Sequence, residues 1–150
     1  MLEISKTTKM TPEKFVRTSS RPSFVSTGYT FLIAPKFLLE KNTLMSFQWE
    51  VKCVKELPQL SIRVSAVTYY VVGKKSIDFS GHFKIPEGQI FPAQTAPLKK
   101  MCACLETGCN IIIENIENLP TGKFRLVIEI EFWGQKHLIY QYFSILKVIK

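Results

Sequence analysis

From residue 44 onward, apolar and polar residues alternate with period two. In "LMSFQWEVKCV", Phe47, Trp49, Val51 and Cys53 fall on one face and Ser46, Gln48, Glu50 and Lys52 on the other. That spacing predicts a strand with one buried face. "SIDFSGHFK" repeats it, with Ile77, Phe79 and Phe83 opposite Ser76, Asp78, Ser80 and His82. In "KFRLVIEIEFW", Phe124, Leu126, Ile128, Ile130 and Phe132 share a face. "GYTFLIA", ended by Pro35, "LSIRVSAVTYYVV" and "HLIYQYFSILKVI" supply further β-branched and aromatic runs, and "NIIIENI" precedes the turn "NLPTG". The turn "FWGQKH" between two strong strands predicts an antiparallel hairpin. No stretch carries helical periodicity.

About seven strands punctuated by Pro and Gly predict an all-β fold, an antiparallel β-sandwich, with a barrel as the alternative closure. Its core is expected to hold Phe47, Trp49, Val51, Phe79, Phe83, Phe124, Leu126, Ile128 and Ile130. Residues 86–98, "PEGQIFPAQTAPL", hold three prolines and a glycine and read as a long loop. Residues 1–23 are polar and rich in Ser and Thr. They read as a basic, mostly irregular N-terminal arm with one helical turn at "TPEKF", where Thr11 caps and Pro12 takes the first position. Residues 24–150 then form a single sandwich domain, and 150 residues are enough to bury a core without staples.

Charge adds a partner class. Lys and Arg number 20 against 12 Asp and Glu, a net +8, which favours anionic partners. In the arm the cations are Lys6, Lys9, Lys14, Arg17 and Arg21 against Glu3 and Glu13, and Lys99 and Lys100 add a second basic spot beside the proline-rich loop. These seven cations are the expected anionic-surface contacts. The N-terminus lacks the apolar run of a secretory signal, and no stretch approaches the ~20 apolar residues of a spanning helix. With Met1 as the natural start, the protein is expected inside the cell or virion, in the cytoplasm or associated with a membrane, with reduced thiols. With Met1 added to a mature secreted chain, disulfides return.

"MCACLETGCN" packs three of the four cysteines into eight positions. Structural zinc wants four Cys or His ligands, typically as short-spaced pairs. Here the spacing is C-x-C-x-x-x-x-C, and Cys53, His82 and His137 are the outside candidates. Cys53 shares its face with Phe47 and Trp49, and His82 lies on a polar face. A nucleophilic cysteine needs a base and an orienting group, and no family signature surrounds either histidine. Disulfide formation, with Cys102 or Cys104 joined to Cys109, belongs to the secreted reading; buried apolar thiols are the plainer one. No G-x-S-x-G, phosphate-cradling glycine loop, H-E-x-x-H or dinucleotide fingerprint occurs. Glu129 and Glu131 alternate on the polar side of their strand. The expectation is a non-enzyme without metal or cofactor.

Two resemblances follow from particular stretches. "FQWEVKC", "IDFSGHFKIPEG" and "LPTGKFRLVIEIEFW", within residues 44–143, resemble the small β-rich matrix proteins of rhabdoviruses. That resemblance implies a structural protein that self-associates and bridges an anionic membrane leaflet and a nucleocapsid. The C-terminal third, from "CACLETGCN" through "LPTGKF" to the closing hairpin, is similar to the lipid-recognition sandwiches related to the GM2 activator. It implies an apolar lipid pocket between the sheets. The expected function is therefore a self-associating assembly protein on anionic surfaces, a membrane leaflet or a nucleocapsid and its nucleic acid. The alternatives are a lipid-binding sandwich and a general protein-interaction sandwich. Membrane is preferred over RNA because most aromatics that could stack on bases alternate into the expected core.

Overall fold

The computed structural model describes residues 14–18, 23–26, 29–32, 36–40, 44–53, 56–99 and 102–147. They form an all-β sandwich with no α-helix among them. The first half contains β1 (Lys14–Thr18), β2 (Ser23–Ser26), β3 (Tyr29–Leu32), β4 (Lys36–Glu40), β5 (Leu44–Cys53), β6 (Glu56–Leu57) and β7 (Leu60–Tyr69). After it come β8 (Ile77–Asp78), β9 (Phe83–Lys84), β10 (Gln89–Phe91), β11 (Gln94–Thr95), β12 (Ala103–Ile113), β13 (Gly122–Phe132) and β14 (Gln135–Lys147). One sheet runs β1-β14-β13-β7-β10, with β8 also on β7, and the other runs β4-β5-β12-β9; β2–β3 and β6–β11 are separate pairs.

Alternation decides which side chains meet between the sheets. Phe124, Leu126, Ile128, Ile130 and Phe132 on β13 are buried with Phe143 and Ile145 on β14. Met45, Phe47, Trp49 and Val51 on β5 face them, with Leu105, Ile111 and Ile113 on β12. Aromatic rings join the layers: Phe143 lies 6.3 Å from both Phe47 and Phe83, and Phe83 lies 6.4 Å from Phe124. Every expected core residue is buried except Phe79, which packs half-buried against the cluster.

The hairpin at "FWGQKH" is present. Trp133 and Gly134 have φ of 50° and 71°, the two positive values of a type I′ turn that matches the twist of its strands.

Three local expectations are corrected. Residues 14–18 do not belong to a free arm: as β1 they pair with β14, and Val16 is buried in the core. Phe15, Val16 and Thr18 are good strand formers, and the end of the sheet leaves them an edge to join. The expected helical turn at "TPEKF" is corrected too, since its Lys14 and Phe15 are strand; residues 1–13 and 19–22 lie outside the described residues, as does Lys100.

Residues 76–84 are not one strand. Asp78 accepts hydrogen bonds from the Ser80 hydroxyl and its backbone N–H, which bends the chain into a short 3-10 turn at Ser80–His82. The segment crosses from β7 to β12, so its two ends belong to different sheets. The proline-rich stretch likewise forms β10 on β7 and β11 on β6. Its prolines flank these short edge pairs, where a missing N–H costs nothing.

A bulge in β7 sets the phase of the outer surface. Ala66 pairs with Val127 and Val64 with Ile128, so Ser65 is the extra residue, and its hydroxyl donates to the Val127 carbonyl at 3.2 Å. The inward positions shift from Leu60, Ile62 and Val64 to Val67 and Tyr69.

Gly108 tests this packing. It lies opposite Gln48, and a Cβ there would run into the carbonyl oxygen of Phe47, with the Gln48 Cα also close. Both neighbours are backbone and cannot swing aside. Gly108→Ala is expected to cost at least about 1–3 kcal/mol, the range for an overpacked site, read as a lower urea midpoint. An unchanged midpoint would show that β5 and β12 do not approach this closely.

Candidate anionic-surface interface

The residues alternate to the outer face of the six-stranded sheet in ordered rows. Arg17 on β1 lies opposite Ser144 on β14, which lies opposite Lys123 on β13. In the next row Tyr142 faces Arg125, and Arg125 faces Thr68 on β7. Tyr140 follows opposite Val127. Because of the Ser65 bulge, Thr68 and Tyr70 take the outward phase beside these rows.

Contacts hold the cations flat on the aromatic rings. The Lys123 Nζ lies 4.7 Å from the Tyr142 ring centre and 5.7 Å from that of Tyr70. The Arg125 guanidinium lies 4.3 Å from Tyr140 and 5.7 Å from Tyr70. Arg125 Nε donates to the Thr68 hydroxyl and an Nη to the Ser76 hydroxyl, both at 3.1 Å. Tyr70 and Tyr142 meet edge to face at 6.0 Å. Among the described residues no carboxylate forms an ion pair with Arg17, Lys123 or Arg125. Asp78, at the end of the Arg125 row, is turned toward Ser80, whose hydroxyl and N–H hold its carboxyl below the usual carboxylate range.

Farther along the same face two carboxylates, Glu129 and Glu131, stand against two cations, Arg63 and Lys136. Glu129 pairs with Arg63 at 3.0 Å and with Lys136 at 3.3 Å. Burial pushes its carboxyl up, but hydrogen bonds from Arg63 and Lys136 outweigh that and leave it below its ordinary value. The Arg17–Lys123–Arg125 end is therefore the unmatched positive part of the sheet.

The cations expected from sequence are dispersed. Arg17 is exposed and belongs to this patch. Lys14 points inward and is buried, its ammonium donating to the carbonyl oxygens of Glu117 and Leu119 at 2.8 and 2.6 Å. It closes the turn before β13 and does not face a partner. Lys99 is exposed in the connection from β11 to β12. That connection lies at the end of the sandwich where β7 starts, about 30 Å along β13 from Lys123. Lys6, Lys9, Arg21 and Lys100 lie outside the described residues. Lys123, Arg125, Tyr70, Tyr140 and Tyr142 were missed. Lys123 and Arg125 sit on the polar parity of a strand whose apolar parity was read, Tyr140 and Tyr142 lie in a run read as a strand with no faces assigned, and the phase of Tyr70 depends on the bulge.

The cysteines do not converge. Cys102, Cys104 and Cys109 are free. On the continuous strand β12, Cys104 lies opposite Lys52 and Cys109 opposite Phe47, so they point to opposite faces. Five residues of strand also separate them by about 16 Å, well beyond disulfide reach, and Cys102 is farther still. Burial, then the Glu50 carboxylate, raises the Cys104 thiol. Burial alone pushes the Cys109 thiol up to about 12. A high thiol pKa is the opposite of nucleophile activation. Among the described residues no three His, Cys, Asp or Glu side chains group as metal ligands, and no helix is long and apolar enough to cross a membrane.

A second feature is a cleft of about 280 Å3 at the edge between the sheets. Trp49, Ile62, Val64 and Cys109 line its inner part, and Pro86, Glu87 and Gln89 pass across it. Thr107 bonds Gln89 at 3.0 Å on its wall. Trp49 is buried to 4% exposure, and its indole N–H has no hydrogen-bond partner among the described residues.

Two measurements check these electrostatics. At pH 8 only about one Cys109 in ten thousand is ionised, so iodoacetamide is expected to label this half-buried thiol far more slowly than an unfolded-peptide thiol. Labelling at the rate of an unfolded-peptide thiol would contradict the burial. For Glu129, a carboxyl held low in the folded state adds stability above its ordinary value of 4.5, lost as pH falls through the lower folded value. Glu129→Gln is expected to flatten this acid-side loss; an unchanged slope would place it elsewhere.

Compared with protein families, curated proteins and solved structures, the chain matches none.

Proposed function

We propose that this protein is a non-enzymatic assembly component that docks on anionic surfaces through the outer face of its six-stranded sheet. The observation that carries the reading is the cluster of Arg17, Lys123 and Arg125 over two adjacent rows, interleaved with Tyr70, Tyr140 and Tyr142 and without a carboxylate ion pair among the described residues. Positive groups without local partners raise the attraction for any polyanion. Lys6 and Lys9 precede β1 in the chain and Arg21 follows it, adding charge next in sequence to the patch. Self-association belongs to the same proposal. The net charge of +8 opposes it in dilute solution and stops opposing it once the charges are neutralised on a surface.

The patch also weakens the reason for setting nucleic acid second. Three of the chain's 5 tyrosines lie outside the core beside cations, the combination that stacks bases and tracks a phosphate backbone.

A carrier of an apolar ligand is the second reading, favoured by the Trp49 N–H in the inter-sheet cleft, which has no hydrogen-bond partner among the described residues. At about 280 Å3 the cleft is at the lower limit for small-molecule sites, and aromatic rings already fill the core beside it. A long acyl chain enters only if the sheets move apart.

The test is binding to heparin and to acidic vesicles across a salt series, with Arg17→Glu and Lys123→Glu combined. Losing two cations near an acidic surface removes about 2 kcal/mol, so affinity is expected to fall at least roughly thirtyfold. A chain starting at Pro12 removes Lys6 and Lys9 while leaving β1 in the sheet. Equal binding by the double variant, with its fold intact, would retire the face as the docking site. Bound lipid in organic extracts of the purified protein would favour the carrier instead.

A further inference from the structure

The basic face continues past the last full strand. Arg125 donates an Nη to the Ser76 hydroxyl at 3.1 Å, which fastens the turn between β7 and β8 beside the Arg125 row. The two residues before Ser76 are Lys74 and Lys75, both exposed, and neither forms an ion pair among the described residues. The sheet runs β1-β14-β13-β7 with β8 on β7. Arg17, Lys123, Arg125, Lys75 and Lys74 therefore lie along a band that crosses it from side to side. Four spacings of about 4.8 Å between neighbouring strands make the band about 19 Å long. Asp78 on β8 stands at its far end, one carboxylate against these cations, and accepts from Ser80. The turn that carries Glu117 lies over inward-pointing Lys14, on the inner side of the sheet.

The shape of this band discriminates between anionic partners. A sheet twists by about 20–25° from one strand to the next, so outward side chains on β1 and β7, three strands apart, diverge by about 60–75°. A flat bilayer meets the cations at one end of such a band and turns away from those at the other. A flexible single strand of nucleic acid follows the twist, and its phosphates reach each cation in turn.

Aromatic rings lie within reach of the same track. Tyr140 is 37% exposed. The Arg125 guanidinium lies 4.3 Å from its ring centre and is held there by the Thr68 and Ser76 hydroxyls. Tyr70 and Tyr142 border this pair. Tyrosine rings and guanidinium planes both stack unpaired bases, whatever the sequence. Bases in a duplex are already stacked on their neighbours and have no face to give.

We propose that the band is a track for single-stranded nucleic acid, in which Arg17, Lys123, Lys74 and Lys75 meet phosphates and an unpaired base stacks on the exposed part of the Tyr140–Arg125 pair. The inference rests on the docking reading, whose face it shares, and adds the partner. A single strand supplies both the charge and the π faces that this band combines, whereas a layer of lipid headgroups supplies charge alone.

The test titrates the full-length protein with a fluorescein-labelled twelve-residue oligothymidylate and with an abasic oligomer of the same length and charge, each over a salt series. The oligothymidylate is expected to bind roughly tenfold more tightly, the fold-change for one stacked base. Tyr140→Ala, at an exposed position, is expected to abolish that preference. Lys74→Gln combined with Lys75→Gln changes only a turn and leaves every ladder intact. It is expected to flatten the plot of log affinity against log salt by about 1.4, at about 0.7 per phosphate contact of a single strand. Equal binding of the two oligomers overturns the nucleic-acid track and leaves electrostatic docking standing. A preference that survives Tyr140→Ala, or a salt slope unchanged by the lysine pair, also overturns the track as drawn. Binding to acidic vesicles without binding to the oligothymidylate identifies the membrane instead, and binding to oligomers, heparin and vesicles alike absent retires both proposals.

Discussion

Phe124 and Phe143 lie directly opposite one another on β13 and β14, and their rings stack at 5.5 Å and 15°. Phe143 also reaches Phe47 and Phe83 on the opposing sheet, so this pair joins the two layers. Side chains of a strand alternate with period two, and the pairing that stacks these rings also places Ser144 against Lys123 and Tyr142 against Arg125 on the reverse side. A slip of one residue would send the rings to solvent and the cations into the core. The surface that attracts anions is thus held in place by apolar burial between the sheets.

A core filled this way directs binding outward. Room remains at the edge, where the strap carrying Pro86 and Gln89 crosses the indole of Trp49, whose N–H has no hydrogen-bond partner among the described residues. On the outer face the cations are anchored by neutral partners. Arg125 is held by two hydroxyls and the tyrosine rings, which fix its direction without cancelling its charge. Arg63 and Lys136 spend theirs on Glu129. The same sheet therefore carries a neutralised stretch and a positive one, and only the second has charge to offer.

Strand existence was legible for β5, β13 and β14, and the inward faces of β5 and β13 were legible because each keeps one phase over ten residues or more. Legibility failed where something non-periodic intervened. The Ser65 bulge changes phase inside β7, so no single alternation describes it and the outward placement of Tyr70 was hidden. Asp78 and Ser80 break a pattern that alternates on paper, because a side chain capping its own backbone competes with the ladder. Lys14 read as one more arm cation, since its carbonyl partners at Glu117 and Leu119 are 103 and 105 residues away. The candidate face was half visible: Arg17 was identified, whereas Lys123 and Arg125 sat unremarked on the polar parity of a strand read for its core. Cations distant in sequence become a patch only through cross-strand register, which composition does not encode.

The electrostatics of the outer face differ along one hairpin. Exposed charges at the Arg17–Lys123 end act through a screened potential, which at physiological ionic strength fades over a Debye length of about 8 Å. Farther along, Glu129 and Glu131 offset Arg63 and Lys136, so the positive potential belongs to the first end. Because β13 and β14 run through both stretches as one hairpin, the asymmetry is fixed in direction relative to the sheet. On the proposed docking reading it would orient the protein at an anionic surface, and exposed charges of this kind suit fast, reversible encounter.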